Sequence, residues 1–324
     1  MNWNLPLRFT PIYQTRVWGG RNLETQFGRK LPAASEPYGE SWELSDRDEA
    51  PSIVREGAAA MTLHDLWTQH RAAVFGQALE SHPSERFPLL MKILDACDDL
   101  SIQVHPPAAI AKELGGEPKT EMWVVTHAQP GARVYAGLRN GVTQAQFEEA
   151  LQTGAVADLM HYIEPQTGDC LFLPSGRVHA IGAGLVIFEI QQNSDTTYRV
   201  FDWNRTGLDG KPRALHIQES LQSIDFEDHE PGIQIPQPDG TLVSCEYFKV
   251  SQAFVSEKRL GKEGENLTVA VIKGALTVNG CVLTAGDFVI IPALMADDLR
   301  QISEATEDAN WLEVRIPASP TAAK

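Results

Sequence analysis

The run GDCLFLPSGRVH, from Gly168 to His179, constrains the fold of this chain more than any other segment. A glycine opens a turn and the short apolar run Cys170 to Leu173 supplies a strand. Pro174 stops the ladder, because it has no N–H to donate. Gly176 then lets the backbone turn a corner that a Cβ would resist. The next side chain of consequence, His179, is thereby aimed into the interior of closed β structure. A chain built this way needs other strands around that histidine.

The remaining sequence supplies them. LSIQVHP alternates Ile102 and Val104 against Gln103 and His105, the period of a half-buried strand, so Gln103 and His105 share a face. SWELS, FPLLMKILDA, EMWVV, LVIFEIQQ and YRVFDW read as further strands. Helical spacing appears at Leu63, Leu66, Trp67, Val74 and Leu79, and again over residues 143–163, broken near Gly154. A short helix is expected at LHIQESLQSI. Residues 228–240 are rich in Pro, Gly and acid and read as a linker. Beyond it only short strands follow, with a hairpin signal at Asn279-Gly280. The expected architecture is mainly β. It comprises a unit over 1–227 with inserted helices at about 57–82 and 143–163, the linker, and a second unit over 241–324.

Charge and composition narrow the function. A formal charge of −16 disfavours a nucleic-acid or anionic-membrane surface, but leaves room for a local basic pocket. No apolar run is long enough to span a bilayer, and MNWNLPLRFTP lacks the layout of a signal peptide. Cys97, Cys170, Cys245 and Cys281 are widely spaced and read as free thiols, mostly buried. A cytoplasmic protein, monomer or homodimer, is expected.

The glycine, proline, glycine and histidine spacing matches the second of two motifs that define the cupin barrels. The first such motif supplies HxH and then a glutamate. Here Gln103-Val104-His105 stands at HxH, and Glu121 follows after an insertion holding PPAAIAKELGG. The expected fold is therefore two cupin (jelly-roll) units, with one divalent-metal site of Gln103, His105, Glu121 and His179. Two imidazoles, a carboxylate and an amide oxygen suit one Zn²⁺ per chain, with Co²⁺, Mn²⁺ or Fe²⁺ as substitutes. A single carboxylate leaves the site net positive and able to polarise a substrate oxygen. The plainer reading, inward polar residues satisfied by hydrogen bonds, leaves the motif-spaced His179 and Glu121 unexplained.

PYGESWELSD, FPLLMKILDA, LSIQVHP, PKTEMWVV, FLPSGRVHAIGAG and EIQQNSDTTYRVFDWNR carry a closer likeness. In this order they resemble the type I mannose-6-phosphate isomerases (phosphomannose isomerases), in their short bacterial form. The resemblance implies a cytoplasmic zinc enzyme that interconverts mannose 6-phosphate and fructose 6-phosphate through an enediol, with a hexose 6-phosphate as its small-molecule partner. It places the metal on the same four residues. It also implies Arg199 as catalytic, with Ser101, Lys119, Arg199 and Arg205 at the substrate or its phosphate. Lys211 or Arg213 could take the place of Arg205. Lys119 and Ser101 each precede a metal candidate by two residues and share its face. Glu189 matches an acidic residue proposed to move the proton, so Lys119, Arg199 and Glu189 form the catalytic set. Glu189 reads equally as a buried partner for an arginine. His216 precedes a helix near the site.

In the second unit Gly286 and Pro292 repeat half of the motif, but PALMADD follows and residues 258–318 hold no histidine. This unit is expected to be a degenerate, metal-free cupin. Two competing functions are a non-haem metal oxygenase, which would want a third imidazole where Gln103 stands, and a non-catalytic sugar-phosphate binder.

Overall fold

The computed structural model describes residues 3–56 and 61–318. The chain is mainly β, arranged as antiparallel sheets. By compactness it divides into two units, one of residues 13–41 and 92–234, the other of 1–12, 42–91 and 235–324. The passage at 234–235 falls inside the expected linker, whereas the first 91 residues contribute to both units.

Most residues of two sheets fall in the first of these units. One has the strand order Cys170–Leu173, Glu121–Ala128, Leu185–Gln192, Leu89–Ala96, Tyr38–Leu44 and Ile12–Gly20. The other runs Met160–Ile163, Val134–Leu138, His179–Ile181, Ile102–Val104 and Tyr198–Phe201. Their inner faces share a core in which Trp18, Leu94, Trp123, Leu171 and Ile187 meet Val134 and Ile181. Burial of both faces explains why LVIFEIQQ is a near-continuous apolar run rather than an alternating one. The outer face of the five-stranded sheet, with Ile102, Val104 and Tyr198, is covered by Phe147 and Ala150 of the helix Gln144–Thr153. Thr143 and Gln146 close a capping box at that helix's start, and Gly154 ends it in a left-handed conformation. The expected second helix there is instead a 3₁₀ turn, Val156–Leu159, followed by a strand. Cross-strand pairing of Tyr162 and Ile163 with Tyr135 and Val134 overrides the helical spacing.

In the other unit, a seven-stranded sheet is ordered Thr241–Ser244, Lys249–Phe254, Asn310–Arg315, Leu267–Lys273, Phe288–Ile291, Leu7–Phe9 and Val54–Glu56. A three-stranded sheet contains the Asn279-Gly280 hairpin, where both turn residues have positive φ, 45° and 74°. Val269, Val271, Leu276, Val289, Ile291 and Trp311 fill its core. The expected helix over 57–82 is two short helices, Leu63–Gln69 and Arg71–Phe75, and a 3₁₀ turn, and its first four positions lie outside the described residues. Gly76, at φ 89°, prevents continuation. All four cysteines are free, but only Cys170 is buried; Cys97 is exposed, so the expectation of mostly buried thiols does not hold. Among the described residues no helix is long and apolar enough to cross a membrane.

Candidate metal centre

Strand register brings the candidates together. Gln103 stands opposite His179 on one side and Arg199 on the other, so one cross-strand row carries all three. On the facing sheet Glu121 lies between Leu173 and Gln191. Gly176, at φ 96°, turns the motif corner, and its N–H donates to the carbonyl of His105 at 2.9 Å. The corner is thus fastened to the strand that carries the other imidazole. The result is a buried group of His105, Glu121 and His179 whose ligand atoms all lie within 4.8 Å of one another.

Tautomer control is built in. His179 Nδ1–H donates to the Arg177 carbonyl at 2.9 Å and His105 Nδ1–H to the Thr196 carbonyl at 2.8 Å. Each ring therefore presents a bare Nε2 inward, the arrangement metal-ligating histidines use. Those Nε2 atoms lie 3.4 Å and 3.5 Å from the two oxygens of Glu121. His105 Nε2 and both Glu121 oxygens have no hydrogen-bond partner, although all are buried. Orphaned lone pairs of this kind are costly unless something electropositive satisfies them. A divalent cation fits that donor set.

Burial, then the charge of Lys119, pushes the His105 pKa down to about 3, and burial also lowers that of His179. Both rings are neutral at physiological pH, as ligands must be. Burial opposes charge on Glu121, but Lys119 and then His105 outweigh it and hold the carboxyl well below the usual range. Burial likewise opposes charge on Lys119, yet Glu121 and Glu189 raise its pKa above the ordinary lysine value. Lys119 Nζ lies 3.1 Å from Glu121 Oε2.

Gln103 is half-buried, and its amide nitrogen lies 3.3 Å from His179 Nε2 while Ser101 Oγ donates to its oxygen at 3.2 Å. Half a turn of the amide brings the oxygen inward instead, and the Ser101 hydroxyl can accept as well as donate. Gln103 and Ser101 lie beside the triad.

A cavity of about 380 Å³ lies beside this group, lined by its neighbours Gln103 and Lys119 and, among others, by Ser101, Glu189 and Arg199. Glu189 is buried, accepts from Trp123 Nε1 at 3.1 Å and lies 3.4 Å from Lys92 Nζ. Burial raises its pKa; Lys119 partly offsets this. Arg205 does not line the cavity: Asp202 at 3.0 Å and Asp98 at 3.2 Å hold it. Arg213 and His216 do line it. So do Lys92, Arg16, Glu40 and Trp18, none of which was among the site candidates. One signal for Lys92 was available: it is the only charge in LLMKIL, an odd residue for a strand buried on both faces.

A family model for phosphomannose isomerase type I, catalytic domain, matches residues 7–116. The chain is 38% identical to the mannose-6-phosphate isomerase ManA of Bacillus subtilis, over 83% of this chain and 86% of that one. It is 36% identical to the mannose-6-phosphate isomerase of Streptococcus mutans, over 89% and 92% of the two chains. The chain belongs to the type I phosphomannose isomerase family. Its fold superposes on the crystal structure of a mannose 6-phosphate isomerase from Bacillus subtilis with a TM-score of 0.82 at 30% identity, covering 96% of this chain and 99% of that one. For a phosphomannose isomerase of this type, the buried His/Glu/His group and the cavity before it form the candidate active site.

Proposed function

We infer that this enzyme interconverts mannose 6-phosphate and fructose 6-phosphate. The observation that carries the reading is the buried triad of His105, Glu121 and His179, with His105 Nε2 and both Glu121 oxygens unsatisfied among the described residues, beside a cavity lined by Lys119, Glu189 and Arg199. Family membership supplies the substrate class. Zn²⁺ is the proposed ion, held by the triad with the Gln103 amide oxygen; when bound, it supplies Lewis acidity toward a sugar oxygen.

The remaining chemistry belongs to side chains. Isomerisation moves a proton between C2 and C1. The C2 proton passes to the Glu189 carboxylate while the C1 carbonyl oxygen takes up a proton, giving the enediol. Return of the carbon-bound proton to C1, with loss of the C2 hydroxyl proton, gives the ketose. A carboxyl with a raised pKa suits that exchange near neutrality. Lys119 stays charged and places a positive field where negative charge develops on the enediol oxygens. Ser101 holds the Gln103 amide, and Arg199 presents its guanidinium to the cavity.

We further propose that each β unit is a cupin barrel, the second without metal. The division at 1–227, 228–240 and 241–324 then separates function rather than compactness, since every site candidate precedes residue 228. A cytoplasmic location accords with four unpaired cysteines. The test is a coupled assay with mannose 6-phosphate before chelation, after it, and with Zn²⁺ restored. Turnover should vanish and return; turnover indifferent to the chelator sinks the metal mechanism.

A further inference from the structure

Resting on that reading, we propose that Arg213 and His216, rather than Arg205, complete the phosphate seat beside Arg199. All three line the active-site cavity, and Arg205 does not. Arg213 and Arg205 share one carboxylate, Asp202, but spend it differently. Arg205 directs Nε and one terminal nitrogen to Asp202 at 3.2 and 3.0 Å, and its other terminal nitrogen to Asp98 at 3.2 Å, so each of its three nitrogens already has a carboxylate partner. Arg213 gives Nε, at 2.7 Å, and Nη2 to Asp202 and keeps Nη1 without a protein acceptor among the described residues. Asp202 thereby fixes the direction of the Arg213 guanidinium and leaves one edge free for an anion.

His216 adds a further donor. Its Nδ1 accepts the backbone N–H of Arg199 at 3.2 Å, so the proton sits on Nε2, which has no acceptor among the described residues. The His216 backbone N–H returns a bond to the Arg199 carbonyl at 2.8 Å, locking the two residues as a pair. Arg199 itself gives Nη1 to the Ala214 carbonyl at 3.0 Å, while its Nε is buried and unpartnered. The segment 213–216 is therefore braced against Arg199 at several points. Arg199, Arg213 and His216 each keep a donor without a protein partner among the described residues, and all three residues line one cavity. Two of those residues are permanently cationic, and burial with the neighbouring Arg213 charge lowers the Arg199 pKa, a repulsion that a dianion between them would relieve. Of the acidic side chains that line the same cavity, Glu40 is already paired with Arg16 at 3.0 Å.

The test uses the purified, metal-loaded enzyme and its variants Arg213→Ala, Arg213→Lys, His216→Phe and Arg205→Ala. Readouts are KM and kcat for mannose 6-phosphate, and the inhibition constant and thermal protection given by inorganic phosphate. Arg213→Ala should raise KM and the phosphate inhibition constant together by roughly 10- to 100-fold, the loss expected for a charge-assisted hydrogen bond. Its kcat should change much less, because the contact is the same in ground and transition states. Arg213→Lys should recover part of the loss, and His216→Phe should show a smaller rise of both constants. Arg205→Ala should raise them less than Arg213→Ala does. A larger rise in Arg205→Ala, or phosphate affinity unchanged in Arg213→Ala, overturns the assignment. A wild-type enzyme that is protected by phosphate but turns over no mannose 6-phosphate would refute the functional reading instead. Should Arg213→Ala fold poorly, the lysine variant with the phosphate titration carries the decision.

Discussion

Two corners of this molecule begin with the same grammar and end differently. At Gly168 and at Gly286, a positive-φ glycine feeds a strand that a proline closes six residues later. In the first corner Gly176 turns the chain and His179 enters the interior. In the second, alanine stands after Pro292, its N–H goes to the Val74 carbonyl at 2.9 Å, and a 3₁₀ turn follows. What arrives in the interior there is Arg300, fully buried. It donates to the carbonyls of Pro292, Ala293, Met295 and Leu260 at 2.8 to 3.3 Å. The difference teaches that the corner is a framework, and that the residue it delivers decides between a reactive interior and a locked one. The first leaves acceptor atoms unsatisfied, ready for a cation; the second supplies its own cation and satisfies them.

That contrast can be broken most sharply at His179. His179→Ala should lower turnover on the order of a thousandfold or more and abolish bound metal, since both ligand and Lewis acid are lost. Coupled assay and metal analysis together check it; metal retained in full with activity gone would move His179 from ligation to chemistry. Glu189→Gln should lower kcat by roughly 100- to 10,000-fold with metal content intact, the range for a lost general base. Unchanged kcat would make Glu189 a structural partner of Lys92 and Trp123. Gln103→His, which offers the ion a third imidazole, should retain one metal per chain and cost roughly tenfold to a hundredfold in activity.

Acid should separate the two interiors without mutation. The folded-state pKa of His105 lies near 3, below its unfolded value of about 6.5, so the unfolded chain binds the extra proton first. The stability this group contributes is complete above pH 6.5 and is lost as pH falls toward 3. Glu121, also depressed, adds a loss over a more acid window. Thermal melts of metal-free protein should therefore fall from about pH 6.5 downward, and His105→Gln should flatten the upper part of that fall. The smallest effect on turnover belongs to the other corner. Arg300→Met should destabilise the fold by roughly 2–4 kcal/mol, through carbonyls left unsatisfied, and leave kcat of the folded fraction nearly unchanged.

The metal candidates were legible because they are local: a motif spacing for His179, a period-2 alternation for Gln103 and His105. The donors that line the rest of the cavity were not, for physical reasons. Lys92 and Arg16 sit on strands whose direction is fixed only by pairing partners far away in sequence. Arg205 and Arg213 look alike as letters; only the bonds to Asp202 and Asp98 tell them apart. The strand Leu7–Phe9 pairs with Phe288–Ile291 across nearly the whole chain, a register no local pattern encodes. The helical spacing of Met160–Ile163 lost to such pairing as well.

The bond from His105 Nδ1 to the Thr196 carbonyl has a thermodynamic consequence. Thr196 lies between two cavity-lining residues, Asp195 and Thr197, on the stretch that leads to Arg199. Whatever orients the imidazole for a cation also orders the stretch of chain that lines the cavity. Occupancy of one site and affinity at the other are thus linked through a single shared carbonyl, and linkage is reciprocal. At equilibrium with a chelator, saturating hexose phosphate should tighten ion binding by the same free energy with which the ion tightens the sugar.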